Sequence, residues 1–470
     1  MKGLIRFAAL ALLCAALLLP IGCQSKPDTP PARTEGETEG EEQVSREPTP
    51  EDTTDYDLLS RVPFDGLEPS PEEDFTVSET ANGVTVTGYV GSATKVRIPD
   101  RIGGKPVTAL ADGAFRDQKA VRVLWIADGV TVFGENVLGG MTQLYALHTP
   151  LPAEDGKRFI GWLFGATAYE RNNVEGMRRI TNLEIGGAAT VLPDYALFDC
   201  NDLVTLRLSD RITAIGDYAL ARCASLKLLD ASTLRTVGTG ALLGCTALRE
   251  LTFGENLEKI GRGALDSCNG LRRLTLPFVG ESRETNRFLG WLFGAETAAL
   301  SPGLYPTGLT ELTLTGGGAV ASEALYAAPI ATLRISGGVT ELGARALADC
   351  TSLTALILPN GLNEIRENAF SGCTALREVT LPEGLTVLGV NAFLGCTALE
   401  SVILPETLTE LPACAFMGCG RLARVTLGGV TAVGVNAFRG CTSLTELKCA
   451  HSVTFADGNA AAEALLGHAP

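Results

Sequence analysis

Thirteen cysteines are the residues of this 470-residue chain with the clearest chemical potential. Closely spaced thiolates, as in Cys-x-x-Cys, would hold a structural zinc ion, and paired thiols in an exported protein would form disulfides. The sequence contains no Cys-x-x-Cys pair, so a metal site is not expected. Five cysteines instead recur at intervals of 23, 23, 23 and 22 residues: Cys350, Cys373, Cys396, Cys419 and Cys441. A fixed period of this size is typical of a repeat architecture, with one thiol at the same place in each unit.

The same spacing argues against a disulfide framework. Cys14 falls in a predicted export signal and Cys23 is the predicted site of lipid attachment, which leaves eleven cysteines, an odd number. Nine of the eleven occupy one position per repeat, where neighbouring sulfurs point in parallel rather than towards each other. Free cysteine is among the residues most often buried, and it packs as a small apolar side chain. We therefore expect these thiols to be core spacers that hydrogen-bond the backbone of the turns.

No catalytic motif accompanies the cysteines. The three histidines, His148, His451 and His468, are scattered, and no nucleophile elbow, zinc-protease helix, P-loop or dinucleotide-binding glycine motif is present. Outside the repeats no segment is long enough for a separate enzyme domain. The sequence therefore predicts a protein that is not an enzyme and has no cofactor. The net charge of −16 gives no basic footprint for nucleic acid.

The repeat unit itself predicts a short strand followed by a compact return. Residues 368–376 are repeated almost unchanged as residues 391–399, 23 positions later. The alternation at Val379 and Leu381 is typical of a strand with these two side chains facing inward, and Pro382 would end it because proline cannot donate to a ladder. Successive coils would then stack their strands side by side, so that each buries its apolar face against its neighbours.

These units resemble the leucine-rich repeats of BspA-like bacterial surface proteins, whose unit reads roughly I-G-x-x-A-F-x-G-C-x-x-L-x-x-V-x-L-P. The resemblance implies a repeat solenoid, mainly β: a right-handed coil with a parallel sheet on one face and short turns or 3-10 segments on the other. It also implies adhesion to host matrix or to other bacteria.

The predicted organisation is an array of about twelve coils over residues 113–450, between an N-terminal β cap (74–112) and a C-terminal cap or tail (451–470). The cap should hold two strands, near residues 84–89 and 96–99, with a turn at Gly91 and Ser92. A short helix is expected from Ala460 to Leu466.

Two units are long, at residues 142–200 and 269–328, and both contain a Gly-Trp-Leu-Phe-Gly-Ala motif. Trp162 and Trp291 lie in these motifs and could be either core residues or ligand-binding residues. We favour the core, with the motif replacing the usual turn.

The N-terminal residues predict export and anchoring. Residues 1–22 have the positive end, the short apolar run and the small-residue end of a signal peptide. The following Cys23 completes a motif that resembles the bacterial lipobox, which implies a lipid anchor in a membrane. Residues 23–73 then form an acidic tether, rich in proline, threonine and glutamate, with 15 acidic and four basic residues after Cys23. Its composition predicts a disordered spacer, and a site for cations or basic partners is the alternative.

The outward positions of the strands are the remaining candidate site. Most carry threonine or charged residues, and Ile357 and Ile403 are the only outward apolar residues identified from the regular coils. With Glu378 and Arg424 beside them, they form a possible binding face. The sequence thus predicts a protein anchored on the bacterial cell surface that adheres to protein or glycan ligands on host or bacterial surfaces. The alternatives are an envelope scaffold, or a lipoprotein that captures peptides or glycans, which a deep pocket at either long unit would favour.

Overall fold

The computed structural model describes residues 63–151, 159–285 and 287–466. All of these residues belong to the unit Glu51–Pro470. The predicted signal peptide, the anchor candidate Cys23 and the tether up to residue 62 lie outside the described residues, as do residues 467–470 of the predicted tail.

The described chain is a mainly β solenoid whose coils stack their strands in parallel register, which confirms the predicted fold class. One strand of each coil contributes to a surface that we call the sheet face, built from consecutive sheets of six, five and four strands. Its strands outnumber the twelve coils placed by turn position. They are Lys95–Arg97, Val123–Trp125, Ala146–Pro150, Asn182–Gly186, Thr205–Leu208, Leu228–Leu229, Glu250–Thr252, Arg273–Leu276, Glu311–Leu314, Thr332–Ile335, Ala355–Ile357, Glu378–Thr380, Ser401–Ile403, Arg424–Thr426 and Glu446–Lys448.

A second ladder of shorter strands runs along the solenoid after the bend of each coil. Most of its strands have two residues, as in Val387–Leu388, where Val387 is exposed and Leu388 is buried. These strands also pair in parallel with their neighbours. They are Lys105–Leu110, Val132–Phe133, Val191–Leu192, Ala214–Ile215, Thr236–Val237, Lys259–Ile260, Gly318–Val320, Val339–Leu342, Glu364–Ile365, Val387–Leu388, Glu410–Leu411, Ala432–Val433 and Thr454–Phe455.

The N-terminal strands differ from the predicted hairpin. Phe75–Thr80 pairs antiparallel with Gly83–Tyr89, and the latter continues in parallel with Lys105–Leu110. Arg101–Ile102 adds a short antiparallel edge to Lys105–Leu110. The strand Lys95–Arg97, expected to complete the hairpin, instead pairs in parallel with Val123–Trp125. The sheet face therefore extends into residues that the sequence assigned to the cap.

The turns between the two ladders hold the repeated cysteines as expected. Eight thiols each donate to a backbone carbonyl of the preceding coil at 3.1–3.3 Å; Cys373, for example, donates to Leu347 at 3.2 Å. The adjoining phenylalanines stack into a column, with centroids 5.1 Å apart from Phe370 to Phe393 and 5.3 Å apart from Phe393 to Phe416. The expectation of buried, hydrogen-bonded thiols is confirmed, and all eleven cysteines from Cys200 to Cys449 are free.

Each of the two long units is one enlarged coil. The strands Ala146–Pro150 and Asn182–Gly186 are direct neighbours, and so are Arg273–Leu276 and Glu311–Leu314. The tryptophan motifs form the 3-10 helices Ile160–Phe164 and Leu289–Phe293. Leu138 and Leu265 donate backbone hydrogen bonds to Leu163 and Leu292, in the pattern that ordinary turns use. The motif therefore replaces the turn, as expected.

The described residues contain little other helix. The remaining 3-10 helices are Glu72–Asp74, Tyr169–Arg171, Met177–Arg179 and Ala298–Gly303, and the predicted helix Ala460–Leu466 is present. Within the described ranges, no helix has the length and apolar character needed to cross a membrane.

Candidate functional site

The sheet face is positioned by the coil register, which places equivalent residues of successive coils in straight rows. One row contains Arg334 and Ile357 as direct partners, and, further along, Thr380, Ile403 and Thr426 as successive partners. The parallel row contains Glu378, Ser401 and Arg424. Adjacent strands lie about 4.8 Å apart, so Ile357 and Ile403 are separated by about 10 Å with Thr380 between them.

The four residues singled out from the sequence are all exposed on this face. Ile357 is 47% exposed and Ile403 is 66% exposed, whereas Val379 of the intervening strand and Val402 of the same strand as Ile403 are buried. Glu378 and Arg424 are exposed in the adjoining row. The isoleucines are thus part of neither the core nor any described apolar cluster, and they are available to a partner.

Charged residues lie at both ends of the isoleucine row. Arg334 precedes Ile357, and Lys448 follows Thr426 in register. Lys448 forms an ion pair with Glu446 at 2.6 Å, and this contact lowers the pKa of the Glu446 carboxyl. The face therefore offers an apolar centre with charged flanks, the usual composition of a protein interface.

The N-terminal end of the sheet face holds a cluster that the sequence did not reveal. Arg97, Trp125, His148, Glu184 and Arg207 are successive register partners on five neighbouring strands. The indole of Trp125 and the imidazole of His148 are stacked, with centroids 3.5 Å apart, and the Arg97 guanidinium lies 5.1 Å from the Trp125 ring. Ile357 and Ile403 are therefore not the only outward apolar residues, and the prediction that they were is wrong.

His148 is buried between two carboxylates. Its Nε2 lies 3.0 Å from Asp128 Oδ1, and its Nδ1 lies 3.3 Å from Glu184 Oε1. Burial alone would lower the pKa of His148, but the hydrogen bond with Asp128 and the charge of Glu184 outweigh burial and raise it above 6.5. The hydrogen bond with His148 in turn lowers the pKa of Asp128. Gly186 makes the arrangement possible, because a Cβ there would lie 2.2 Å from Asp128 Oδ1.

Residues 63–70, which we call the docked segment, cover this cluster. The Phe64 ring is buried edge-on against Trp125, with centroids 5.6 Å apart. These residues belong to the predicted tether, so the expectation of disorder is wrong for its C-terminal end. The composition of the segment does not predict this contact, because Phe64 is its only aromatic residue.

The two long-unit tryptophans pack against the core. Trp162 and Trp291 are both partly buried, and the Trp291 Nε1–H donates to the Ile260 carbonyl at 2.9 Å. Asn172 is fully buried in the first long unit, where its Oδ1 accepts from the Gly161 N–H at 2.6 Å. Across the part of the chain that the structure describes, no group of three or more histidine, cysteine or acidic residues is placed to hold a metal ion.

A family model described as BspA type leucine rich repeat region matches the chain in six copies, over residues 171–289 and 318–445. No curated protein has a significantly similar sequence.

Among solved structures, the chain is similar to a leucine rich cell surface protein from Faecalibacterium prausnitzii, at 20% identity over 82% of this chain and 96% of that one, with a TM-score of 0.27. It is also similar to a leucine-rich repeat protein from Bacteroides ovatus, at 19% identity over 82% of this chain and 98% of that one, with a TM-score of 0.31.

Proposed function

The chain belongs to the BspA-type leucine-rich-repeat family, whose model matches more than half of its length, and on this premise we propose that it is a cell-surface adhesin that binds protein ligands through the sheet face. The observation that carries the proposal is the pair of exposed isoleucines, Ile357 and Ile403, since the other outward residues of their row from Arg334 to Lys448 are polar. Anchoring through Cys23 would hold this face outside the membrane.

Energetics favour a protein ligand centred on the isoleucines. Full burial of an isoleucine side chain is worth about 1.5–3 kcal/mol, whereas exposed ion pairs contribute at most about 1 kcal/mol. The isoleucines would therefore provide affinity, while Glu378 and Arg424 would fix orientation. A stable interface covers about 800 Å² per partner, so the ligand must also reach the flanking Arg334 and Lys448.

Binding of purified residues 24–470 to immobilised host matrix proteins, host glycans and envelope fractions of the producing cell tests this function. We expect saturable binding to a host protein, weakened at least tenfold by Ile357→Glu or Ile403→Glu. Val387→Glu is the matched control, since Val387 is 44% exposed on the second ladder, away from the sheet face. It should leave binding unchanged.

The alternatives predict different outcomes. Binding to the producer's envelope alone would favour a scaffold, and saturable binding to a free glycan or peptide would favour capture. Equal binding by wild type and both isoleucine variants would mean that the ligand uses another surface.

A further inference from the structure

The docked segment lies on the sheet face and not within the core. Phe64 shares a small apolar cluster with Val123 and Ala146, which is separate from the continuous core of the coils, and Leu67 and Trp125 pack at its edge. At protein interfaces a few fully desolvated side chains, aromatic ones among them, carry most of the binding energy, and Phe64 has this character.

Polar contacts between the segment and the solenoid converge on Arg97. The Ser70 N–H donates to the Arg97 carbonyl at 2.9 Å, and the Arg97 N–H donates to Ser70 Oγ at 3.1 Å. The Arg97 guanidinium donates to the Leu67 carbonyl at 3.0 Å. Between these contacts the segment turns back on itself, with the Leu67 N–H donating to the Phe64 carbonyl and Gly66 at a φ of +69°. The segment is therefore attached through one buried aromatic side chain, the flanking Leu67 and the hydrogen bonds of Arg97.

The floor beneath the segment is held in place by the solenoid itself. His148 is fixed by Asp128 and Glu184, and Asp128 also accepts from the Gly187 N–H at 2.7 Å. The imidazole in turn supports the Trp125 indole from one side. None of these contacts involves the segment, so the floor is preorganised to receive an aromatic side chain. Preorganisation of this kind reduces the entropic cost of binding.

The segment does not fill the site. A cavity of about 260 Å³ remains, bordered by Glu184 and the two arginines Arg97 and Arg207, and by the acidic residues Asp65 and Glu68 of the segment itself. Both acidic side chains are exposed. The site therefore combines an aromatic pocket with cationic residues on either side of it.

We propose that this end of the sheet face is a peptide-binding site which the docked segment occupies in cis, and that its ligand in trans is a peptide with an aromatic residue followed by acidic residues. The docked segment, Pro-Phe-Asp-Gly-Leu-Glu-Pro-Ser, is the example of that chemistry present in the structure. A ligand of this class must compete with the segment, so the free site is exposed only when Phe64 leaves.

The test measures binding of a fluorescent peptide with the sequence of residues 63–70 to purified residues 24–470, by fluorescence anisotropy. Phe64→Ala vacates the aromatic pocket, and we expect this variant to bind the peptide at least tenfold more tightly than wild type. Adding Trp125→Ala should abolish the gain. Peptides with the phenylalanine changed to alanine, or with both acidic residues changed to serine, should each bind at least tenfold more weakly.

A second variant separates peptide binding from folding. Asp65→Lys combined with Glu68→Lys places like charges beside Arg97 and Arg207 without changing Phe64. The repulsion should release the segment from the site, so this variant should also bind the peptide more tightly than wild type. Cooperative unfolding transitions like that of wild type, together with tighter peptide binding, support the site. Loss of the cooperative transition in both variants, or equal peptide affinity in wild type and both variants, would overturn it.

Ile403→Glu is the control that keeps this site distinct from the proposed adhesive face. Ile403 lies on a strand near the other end of the sheet face. Its substitution should leave peptide affinity unchanged, and so the peptide site and the adhesive face can fail independently.

Discussion

The indole of Trp125 and the imidazole of His148 stack with their planes 5° apart and their centroids 3.5 Å apart. They come from neighbouring strands and occupy the same register position, where most regular coils have threonine or isoleucine. The stack is held by Asp128 and Glu184 from below and beside it. This contact therefore links the stability of the first coils to the ionisation of one histidine.

We predict that His148→Gln destabilises the protein most in mildly acidic solution. The folded-state pKa of His148 is raised above 6.5. The stability that the charged histidine contributes is therefore fully present below pH 6.5 and is lost as the pH rises through the folded-state pKa. Asp128 sets the other limit: its pKa is lowered from 3.8, so its contribution is lost as the pH falls through the folded-state pKa. Arg97 also favours the charged form of Asp128.

Urea unfolding between pH 3 and pH 9 measures this effect. The free energy of unfolding of wild type should exceed that of His148→Gln by about 2 kcal/mol near pH 5–6, the usual value of a hydrogen bond to a charged group. The difference should be smaller at pH 3 and at pH 9. His451→Gln is the control, because His451 is exposed. A constant difference across the pH range would contradict the assigned charge of His148.

The interior of the coils could be predicted from the sequence because stacking brings like residues together. A 23-residue period places Cys373 above Cys350 and Phe393 above Phe370, so it predicts contacts between the equivalent residues of successive coils. The exposure of Ile357 and Ile403 follows from the same period combined with strand alternation.

The cluster around Trp125 could not be found in this way, because its period is irregular. The steps from Arg97 to Trp125, to His148 and to Glu184 span 28, 23 and 36 residues. The first of these strands lacks the cysteine turn before it, and the last step crosses a long unit. The two-residue strands of the second ladder were also missed, since two residues are too few to show an alternating pattern.

We predict that thiol reactivity separates the cysteines into two classes. Burial raises the pKa of Cys268 and of Cys350 to about 12, so at pH 8 these two thiols contain almost no thiolate. Cys449 is exposed and Cys414 is partly exposed. In residues 24–470, Ellman's reagent should modify Cys449 rapidly and Cys414 more slowly, and the other nine only after denaturation in guanidinium.

The control for this titration is Cys449→Ser, which should remove the rapid phase and leave the slower one. Rapid reaction of three or more thiols in the native protein would contradict the burial of the cysteine ladder.

We predict that replacing a phenylalanine in the middle of the stacked column destabilises the protein more than replacing the one at its end. Phe393 is fully buried and stacks on both Phe370 and Phe416, whereas Phe438 contacts Phe416 at the end of the column and is 5% exposed. We expect Phe393→Ala to lower the free energy of unfolding by about 4 kcal/mol, and Phe438→Ala by less, because a terminal site collapses more easily. Urea denaturation followed by circular dichroism measures both, and a larger loss for Phe438→Ala would be inconsistent with the stacked column.

Three of the regular coils open their turn with an asparagine, and this position predicts a stabilising substitution in the coil that lacks it. Asn368, Asn391 and Asn436 have φ values of +55° to +59°, in the left-handed region that asparagine tolerates better than other residues with a Cβ. Cys414 occupies the same position of its coil at a φ of +55°. Cys414→Asn should therefore raise the free energy of unfolding by about 0.5–1 kcal/mol, and Asn391→Ala should lower it by about 1 kcal/mol. Asn391→Gly separates backbone conformation from side-chain contacts: if conformation decides the cost, it should be less destabilising than Asn391→Ala in the same urea titration.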